Sequence, residues 1–160
     1  MAKICFNCGK KISTFGKIQI EGKDVCKDCK QEVETKIRER KEILETGKAE
    51  RVIATTTPTV EDYKITQYLG IVSSEAIFGV DVVKDFFASI RDVWGGRSKT
   101  MQREFNRAKD TAIRELKVES ALLGGDAVIG VTLDYENITG KNSQMIMVVA
   151  KGTAVKIEKV

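Results

Sequence analysis

One stretch decides the fold of this chain, the apolar run Met145-Ile146-Met147-Val148-Val149-Ala150. Side chains of a strand point alternately to its two faces, yet this run is apolar at every position. A strand of this kind belongs to a sheet that is covered on both sides. The predicted helices can cover one face, and a chain of 160 residues has no further layer to spare. We therefore expect a second copy of the chain to cover the other face, with a cover of loops as the alternative.

The run belongs to an α+β pattern that occupies residues 49–160. Its elements are predicted as strands at residues 51–57 and 63–78, helices at residues 80–94 and 98–123, and strands at residues 127–135 and 144–156. Pro58 ends the first strand, and Gly70 marks a bend in the second. Glycine pairs end both helices. The pattern predicts a small sheet with helices on one face.

All four cysteines lie near the N-terminus, as Cys5, Cys8, Cys26 and Cys29. A two-residue gap lets a tight turn direct two thiolates at one ion, and two such turns form a tetrahedral sulfur site. Zinc is the usual occupant, and with four protein sulfurs its role is structural. Structural zinc contributes on the order of 10–16 kcal/mol to folding, which so short a segment needs. The expected apolar core of this segment is Phe6, Ile12, Phe15, Ile18, Ile20 and Val25.

Other chemistries for the cysteines are weighed against zinc. Iron uses similar cysteine turns, so the spacing leaves iron open. Two disulfides are disfavoured because the N-terminal sequence lacks an export signal, and the expected compartment is the reducing cytoplasm. A redox-active pair needs only two cysteines, whereas the sequence has two such pairs. We expect zinc, with iron as the second choice.

Composition and charge bound the function. The chain has 27 Lys and Arg against 23 Asp and Glu, and it has no histidine, which excludes Ser-His-Asp and Cys-His catalysis. Residues 1–48 hold 12 basic and 8 acidic side chains, whereas residues 49–160 hold 15 of each. This difference in charge indicates a domain boundary, and the charged segment after the cysteines has the residue spacing of a helix. We therefore predict a zinc ribbon at residues 1–31, a helical linker at residues 32–48 and a main domain, called the body, at residues 49–160. No apolar run approaches the roughly 20 residues of a membrane span.

A candidate anion site lies at the start of the second predicted helix of the body. Its residues are Arg91, Gly95, Gly96, Arg97 and Ser98. A helix N-terminus offers unpaired N–H groups, and arginines add positive charge, so a small anion or phosphate could bind there. A tight corner between two helices is the alternative, and it is favoured because no P-loop lysine accompanies the glycines. Asp134 and Glu136 share one strand face, which we interpret as solvated rather than catalytic.

Two resemblances add to these predictions. The stretches Cys5-Phe-Asn-Cys8-Gly9 and Gly22-Lys-Asp-Val-Cys26-Lys-Asp-Cys29 resemble a small zinc ribbon of bacterial and phage proteins. Several motifs of the body resemble the YbjQ-like family, in order Thr55-Thr-Thr-Pro58, Tyr68-Leu-Gly-Ile-Val72, Asp85-Phe-Phe-Ala-Ser-Ile-Arg-Asp92, Gly95-Gly-Arg-Ser98, Gly124-Gly-Asp-Ala-Val-Ile-Gly-Val131 and Gly152-Thr-Ala-Val155. The second resemblance covers residues 50–157. It implies a dodecin-subunit-like antiparallel sheet with helices on one face, in homo-oligomeric rings that we expect to be pentamers.

The YbjQ-like family is labelled as heavy-metal-binding, yet residues 49–160 contain neither Cys nor His, the side chains that such metals prefer. We therefore expect metal only at the N-terminal cysteines. The predicted function is a non-enzymatic, metal-binding homo-oligomer with a structural zinc ribbon on each subunit. A ring that sequesters a small molecule or nucleotide is the first alternative. Nucleic-acid or protein recognition through the ribbon is the second; nucleic acid is disfavoured because only Phe6 and Phe15 could stack on bases, and no membrane partner is expected.

Overall fold

The computed structural model describes residues 3–12, 17–78, 99–140 and 143–160. These residues divide into two compact units, Met1–Thr46 and Gly47–Val160. The predicted helix at residues 80–94, and with it Arg91, Gly95, Gly96, Arg97 and Ser98, lies outside the described residues. The part of the chain that is described contains no helix long and apolar enough to cross a membrane.

The first unit consists of two small hairpins and one helix. Strand β1 (Lys3–Ile4) pairs with β2 (Lys11–Ile12), and β3 (Lys17–Ile20) pairs with β4 (Lys23–Cys26), both antiparallel. A short 3-10 helix, Lys27–Cys29, leads directly into helix α1, Lys30–Glu45. Gly47 follows with a φ of +63°, the left-handed conformation that commonly ends a helix.

The second unit is a four-stranded sheet with a long helix packed on one face. Its strands are β5 (Ile53–Ala54), β6 (Tyr63–Phe78), β7 (Ala127–Gly140) and β8 (Ser143–Lys159), in the order β5-β7-β8-β6. Helix α2 (Lys99–Leu122) lies between β6 and β7 in the chain. The α+β prediction is confirmed, and β6 has the predicted bounds. The bend predicted at Gly70 is a bulge where Gly70 has a φ of +130°.

Two details of the body differ from the prediction. The strand predicted at residues 51–57 begins as a 3-10 helix, Ala49–Arg51, and only Ile53 and Ala54 form a regular strand. That strand pairs with β7 in parallel, so the sheet is not wholly antiparallel. The pairing becomes irregular beyond Ala54 because β7 contains a bulge between Ile129 and Thr132. Gly130 and Val131 there donate backbone hydrogen bonds to the carbonyl groups of Thr57 and Thr55.

The two faces of the sheet are covered unequally. On the helix side, the side chains of Val72, Ser74 and Ala76 in β6 and Val148 and Ala150 in β8 are buried. The other face, which we call the open face, carries Ile71 and Ile77 at 85% and 61% exposure. Met147 and Val149, also on the open face, are half-buried. Residues 147–150 therefore place apolar side chains on both faces of the sheet. Among the described residues, helix α2 covers one of these faces.

Candidate metal centre

The first pair of cysteines is held by a tight turn between β1 and β2. The N–H of Cys5 donates to the carbonyl of Lys10 over 2.8 Å, and the N–H of Gly9 donates to the carbonyl of Cys5 over 2.9 Å. Gly9 adopts a φ of +70°, which glycine permits without a steric cost. The turn thereby brings the side chains of Cys5 and Cys8 to one side of the chain.

The second pair follows the β3–β4 hairpin. Cys26 ends β4 and Cys29 ends the short 3-10 helix before α1. Two hydrogen bonds join this pair to the first turn: the Phe6 N–H donates to the Asp24 carbonyl over 2.9 Å, and the Cys26 N–H donates to the Cys5 sulfur over 3.3 Å. The two turns are thus fixed against each other by the backbone.

The structure brings all four cysteine sulfurs together. Every pair of these Sγ atoms lies within 4.8 Å, and the Cys8 and Cys26 sulfurs are 3.8 Å apart. A tetrahedron of sulfurs about 2.3 Å from a central ion has edges of about 3.8 Å. All four cysteines are free thiols. The chemistry and spacing of this donor set fit one ion bound by Cys5, Cys8, Cys26 and Cys29.

The pKa values of two of the cysteines are shifted in opposite directions. Backbone N–H groups of Cys26 and Cys8 hydrogen-bond to the Cys5 sulfur and lower its pKa from 9.0 to about 6. The Asn7 amide acts to lower the pKa of Cys29, but the thiols of Cys26 and Cys8 and burial outweigh it and raise that pKa to about 12. Four thiolates this close repel one another, so their joint ionisation requires a cation among them.

A small apolar cluster and one polar chain support the cysteines. Val25 is fully buried beside Cys5 and Cys29, and Ile12, Ile20 and Val33 pack against them. Asn7 donates a 3.1 Å hydrogen bond to Glu32 in α1, and Glu32 forms a 2.6 Å ion pair with Lys36. This contact between the first cysteine turn and helix α1 was not predicted from the sequence. The only signal for it was a polar residue between the cysteines of a pair.

Phe6 lies outside the core of this unit, contrary to the prediction. Its side chain is 64% exposed, and the Lys23 ammonium lies 3.8 Å from the centre of its ring. Cys5, whose sulfur accepts a hydrogen bond from the Cys26 N–H, takes the buried position beside Val25 in place of Phe6. Phe15, the other predicted core aromatic, lies outside the described residues.

The cysteines are the one group of three or more potential metal-binding side chains among the described residues. In the body, Asp134 is 2.7 Å from the Lys151 ammonium, so its carboxylate is used in an ion pair. Asp134 and Glu136 share the open face, as expected from their spacing, and both are exposed. The proposed anion residues Arg91, Gly95, Gly96, Arg97 and Ser98 are not described by the structure, and that site stays a prediction.

Comparison with known proteins identifies the body. The family model of YbjQ, which carries the description "Putative heavy-metal-binding", matches residues 52–158. Among solved structures, the chain is similar to a crystal structure of a protein of unknown function of the DUF74 family from Pediococcus pentosaceus. The identity is 21%, the match covers 67% of this chain and 98% of that chain, and the TM-score is 0.46.

Proposed function

This chain belongs to the YbjQ family described as "Putative heavy-metal-binding", and from that premise we propose that it is a non-enzymatic metal-binding module that acts as a homo-oligomer. The observation that carries the proposal is the cluster of four cysteine sulfurs within 4.8 Å of one another. The cluster lies in residues 3–45, before the part of the chain that matches the family. The proposed metal site therefore lies outside the part of the chain that matches the family.

Zinc is the ion that we assign to the cluster. A closed tetrahedral set of four thiolates is the donor set of structural zinc sites, and iron is the competing occupant of such a set. The bound ion would cross-link the turn at Cys5 and Cys8 to the segment at Cys26 and Cys29. With all four positions filled by protein, the site has no place for a substrate, which is why we propose a structural role and no enzymatic activity.

The open face supports the proposal of a homo-oligomer. Ile71 and Ile77 expose most of their side chains to solvent, and Met147 and Val149 lie beside them on β8. Exposed apolar groups on one flat face are stabilised when a second surface removes them from water. A second copy brings the same apolar groups and is the partner that we propose, in a closed ring for which five subunits is our expected number.

The cytoplasm is the compartment that we propose. Free thiolates persist where glutathione and thioredoxin keep cysteines reduced, whereas an oxidising compartment would favour disulfides between neighbouring cysteines. The sulfurs of Cys8 and Cys26 are 3.8 Å apart, so they are among the neighbouring cysteines that such a compartment would oxidise. Metal binding itself protects such a cluster, because coordinated thiolates are less available for oxidation.

Metal analysis of purified Cys8→Ser protein tests the assignment. Cys8 is the exposed ligand, so its replacement removes one sulfur with little effect on packing. We expect the variant to lose most of its zinc, whereas Lys11→Ser, at an exposed position of β2, retains it. Equal zinc in the Cys8→Ser variant and the wild type would contradict four-thiolate binding. Iron in place of zinc, with its visible thiolate absorption, would correct the identity of the ion.

A further inference from the structure

A basic depression runs along the solvent side of α2. Its volume of about 580 Å³ is open to solvent, and its described lining residues are Arg103, Asn106, Arg107, Asp110, Thr111 and Arg114. The described lining residues belong to one helix of the second unit, whereas the cysteine cluster belongs to the first unit. The three arginines give it its chemical character.

The arginines are aligned by the geometry of the helix. Arg103, Arg107 and Arg114 are separated by four and seven residues, so they fall within about 40° of one another around the helix axis. Along the axis they are spaced by about 6 Å and about 10 Å. Glu115 and Glu119 of the same helix lie about 100° and about 140° around the axis from Arg114. The positive charges therefore form a stripe away from Glu115 and Glu119, and Asp110 lies within this stripe, three residues from Arg107 and four from Arg114.

The side chains of Arg103, Arg107 and Arg114 are exposed. Among the described residues, no carboxylate lies within ion-pair distance of Arg103, Arg107 or Arg114. Asp110 lines the same groove, and its carboxylate is likewise in no ion pair with another residue that the structure describes. Three guanidinium groups on one helix face repel one another, and an anion that bridges them removes this repulsion and accepts charge-assisted hydrogen bonds.

A second, smaller depression continues from the first. Its volume is about 290 Å³, and it is lined by Ala49, Glu50, Asp110, Ile113, Arg114 and Lys117. It shares Asp110 and Arg114 with the larger depression and adds an apolar side chain, Ile113, that is half-buried. The combined groove therefore offers guanidinium groups at one end, and an apolar surface with carboxylate acceptors at the other.

We propose that this groove binds an oligophosphate chain. Arginine forks match the oxygen geometry of phosphate, and successive phosphates can reach arginines that are one helical turn apart. Arg103 and Arg107 would contact adjacent phosphates, and Arg114 a further one. When the chain is esterified to a nucleoside, the sugar hydroxyls and base can reach Asp110, Glu50 and Ile113 in the adjoining depression.

Calorimetry on the full-length protein, in magnesium-free buffer, tests this site with tripolyphosphate, ATP and adenosine. We expect saturable binding of tripolyphosphate and ATP that weakens as salt is raised, and none of adenosine. Tighter binding of ATP than of tripolyphosphate would assign the nucleotide, and equal binding would assign the free phosphate chain. Absence of saturable binding by both phosphates at millimolar concentration would overturn the proposal.

Three variants place the binding in the groove. Arg103→Gln/Arg107→Gln should weaken tripolyphosphate binding about tenfold or more, because two charge-assisted contacts are lost. Asp110→Asn should tighten it, since a repelling charge is removed. Arg38→Gln, an exposed arginine of α1, is the matched control and should bind as the wild type does. Unchanged binding by the double variant, or an equal loss in the control, would overturn the assignment, with circular dichroism verifying that each variant is folded.

Discussion

The Ser74 hydroxyl donates a 2.6 Å hydrogen bond to the backbone carbonyl of Ala112 and so joins strand β6 to helix α2. Both residues are buried, and Ala112 is fully so. The small side chains around this bond let the helix approach the sheet closely. The bond fixes the position of α2 along β6, and with it the position of the arginine stripe on the far side of the helix.

Ser74→Ala should lower the free energy of unfolding of the body by about 1 kcal/mol, the net contribution of a typical internal hydrogen bond. The neighbouring Ser73 is exposed on the open face, so Ser73→Ala is the matched control, with an expected change within about 0.5 kcal/mol. Urea unfolding followed by circular dichroism measures both. Equal stability of the two variants would show that the bond to Ala112 contributes little.

Gly125→Ala should destabilise the body by about 1–3 kcal/mol through overpacking. A Cβ at Gly125 would lie 2.4 Å from the Ser120 hydroxyl oxygen and 3.1 Å from the Ser120 carbonyl oxygen. In a Ser120→Ala background the shorter contact is absent, so the same substitution should cost less there. Unfolding measurements on the two single variants and the double variant give the coupling. An equal cost in both backgrounds would rule out the clash with Ser120.

Ile71→Glu should reduce the mass of the assembly in solution. Ile71 is 85% exposed on the open face, and a carboxylate there would be costly to bury against a second copy. Light scattering coupled to size-exclusion chromatography measures the mass. Leu123→Glu, at a side chain that is 49% exposed after the end of α2, is the control and should leave the mass unchanged. A wild-type monomer, or an unchanged mass for Ile71→Glu, would contradict assembly through the open face.

Asp134→Asn should lower the pKa of Lys151. The Asp134 carboxylate lies 2.7 Å from the Lys151 ammonium and raises its pKa above 10.5, first through a hydrogen bond and then through charge, with a smaller effect from Glu136. Because the folded-state pKa is raised, the pair stabilises the protein at neutral pH and loses this effect only as the pH rises through that pKa. NMR titration of the lysine side chains should show a larger downward shift for Asp134→Asn than for Glu136→Gln. A larger effect of Glu136→Gln would reverse the assigned order.

Much of the architecture could be predicted because it depends on local chemistry. The bounds of β6, the bulge at Gly70 and the family of the body all follow from residues that are close in sequence. The cysteine pairs indicated one site because thiolates at a two-residue spacing meet around an ion. The parallel pairing of β5 with β7 could not be predicted, since it joins residues more than 70 positions apart.

The surroundings of the cysteines were the harder part of the site to predict. Phe6 fits a core by hydrophobicity, yet Cys5 takes the buried position beside Val25 and the Phe6 side chain is exposed. The contact between Asn7 and Glu32 depends on where α1 lies against the first turn, which residue spacing does not determine. The arginine stripe was present in the sequence as a four- and seven-residue spacing, but the exposure of these arginines depends on how α2 packs on the sheet.

The central claim is that one zinc ion, bound by four thiolates, organises the N-terminal unit of each chain. Native mass spectrometry of freshly purified protein tests it most directly, because it reports the metal content and the number of subunits of the intact assembly together. We predict an assembly of several chains that carries one zinc ion per chain. A folded protein whose mass accounts for the polypeptide alone, with no metal, would contradict the claim.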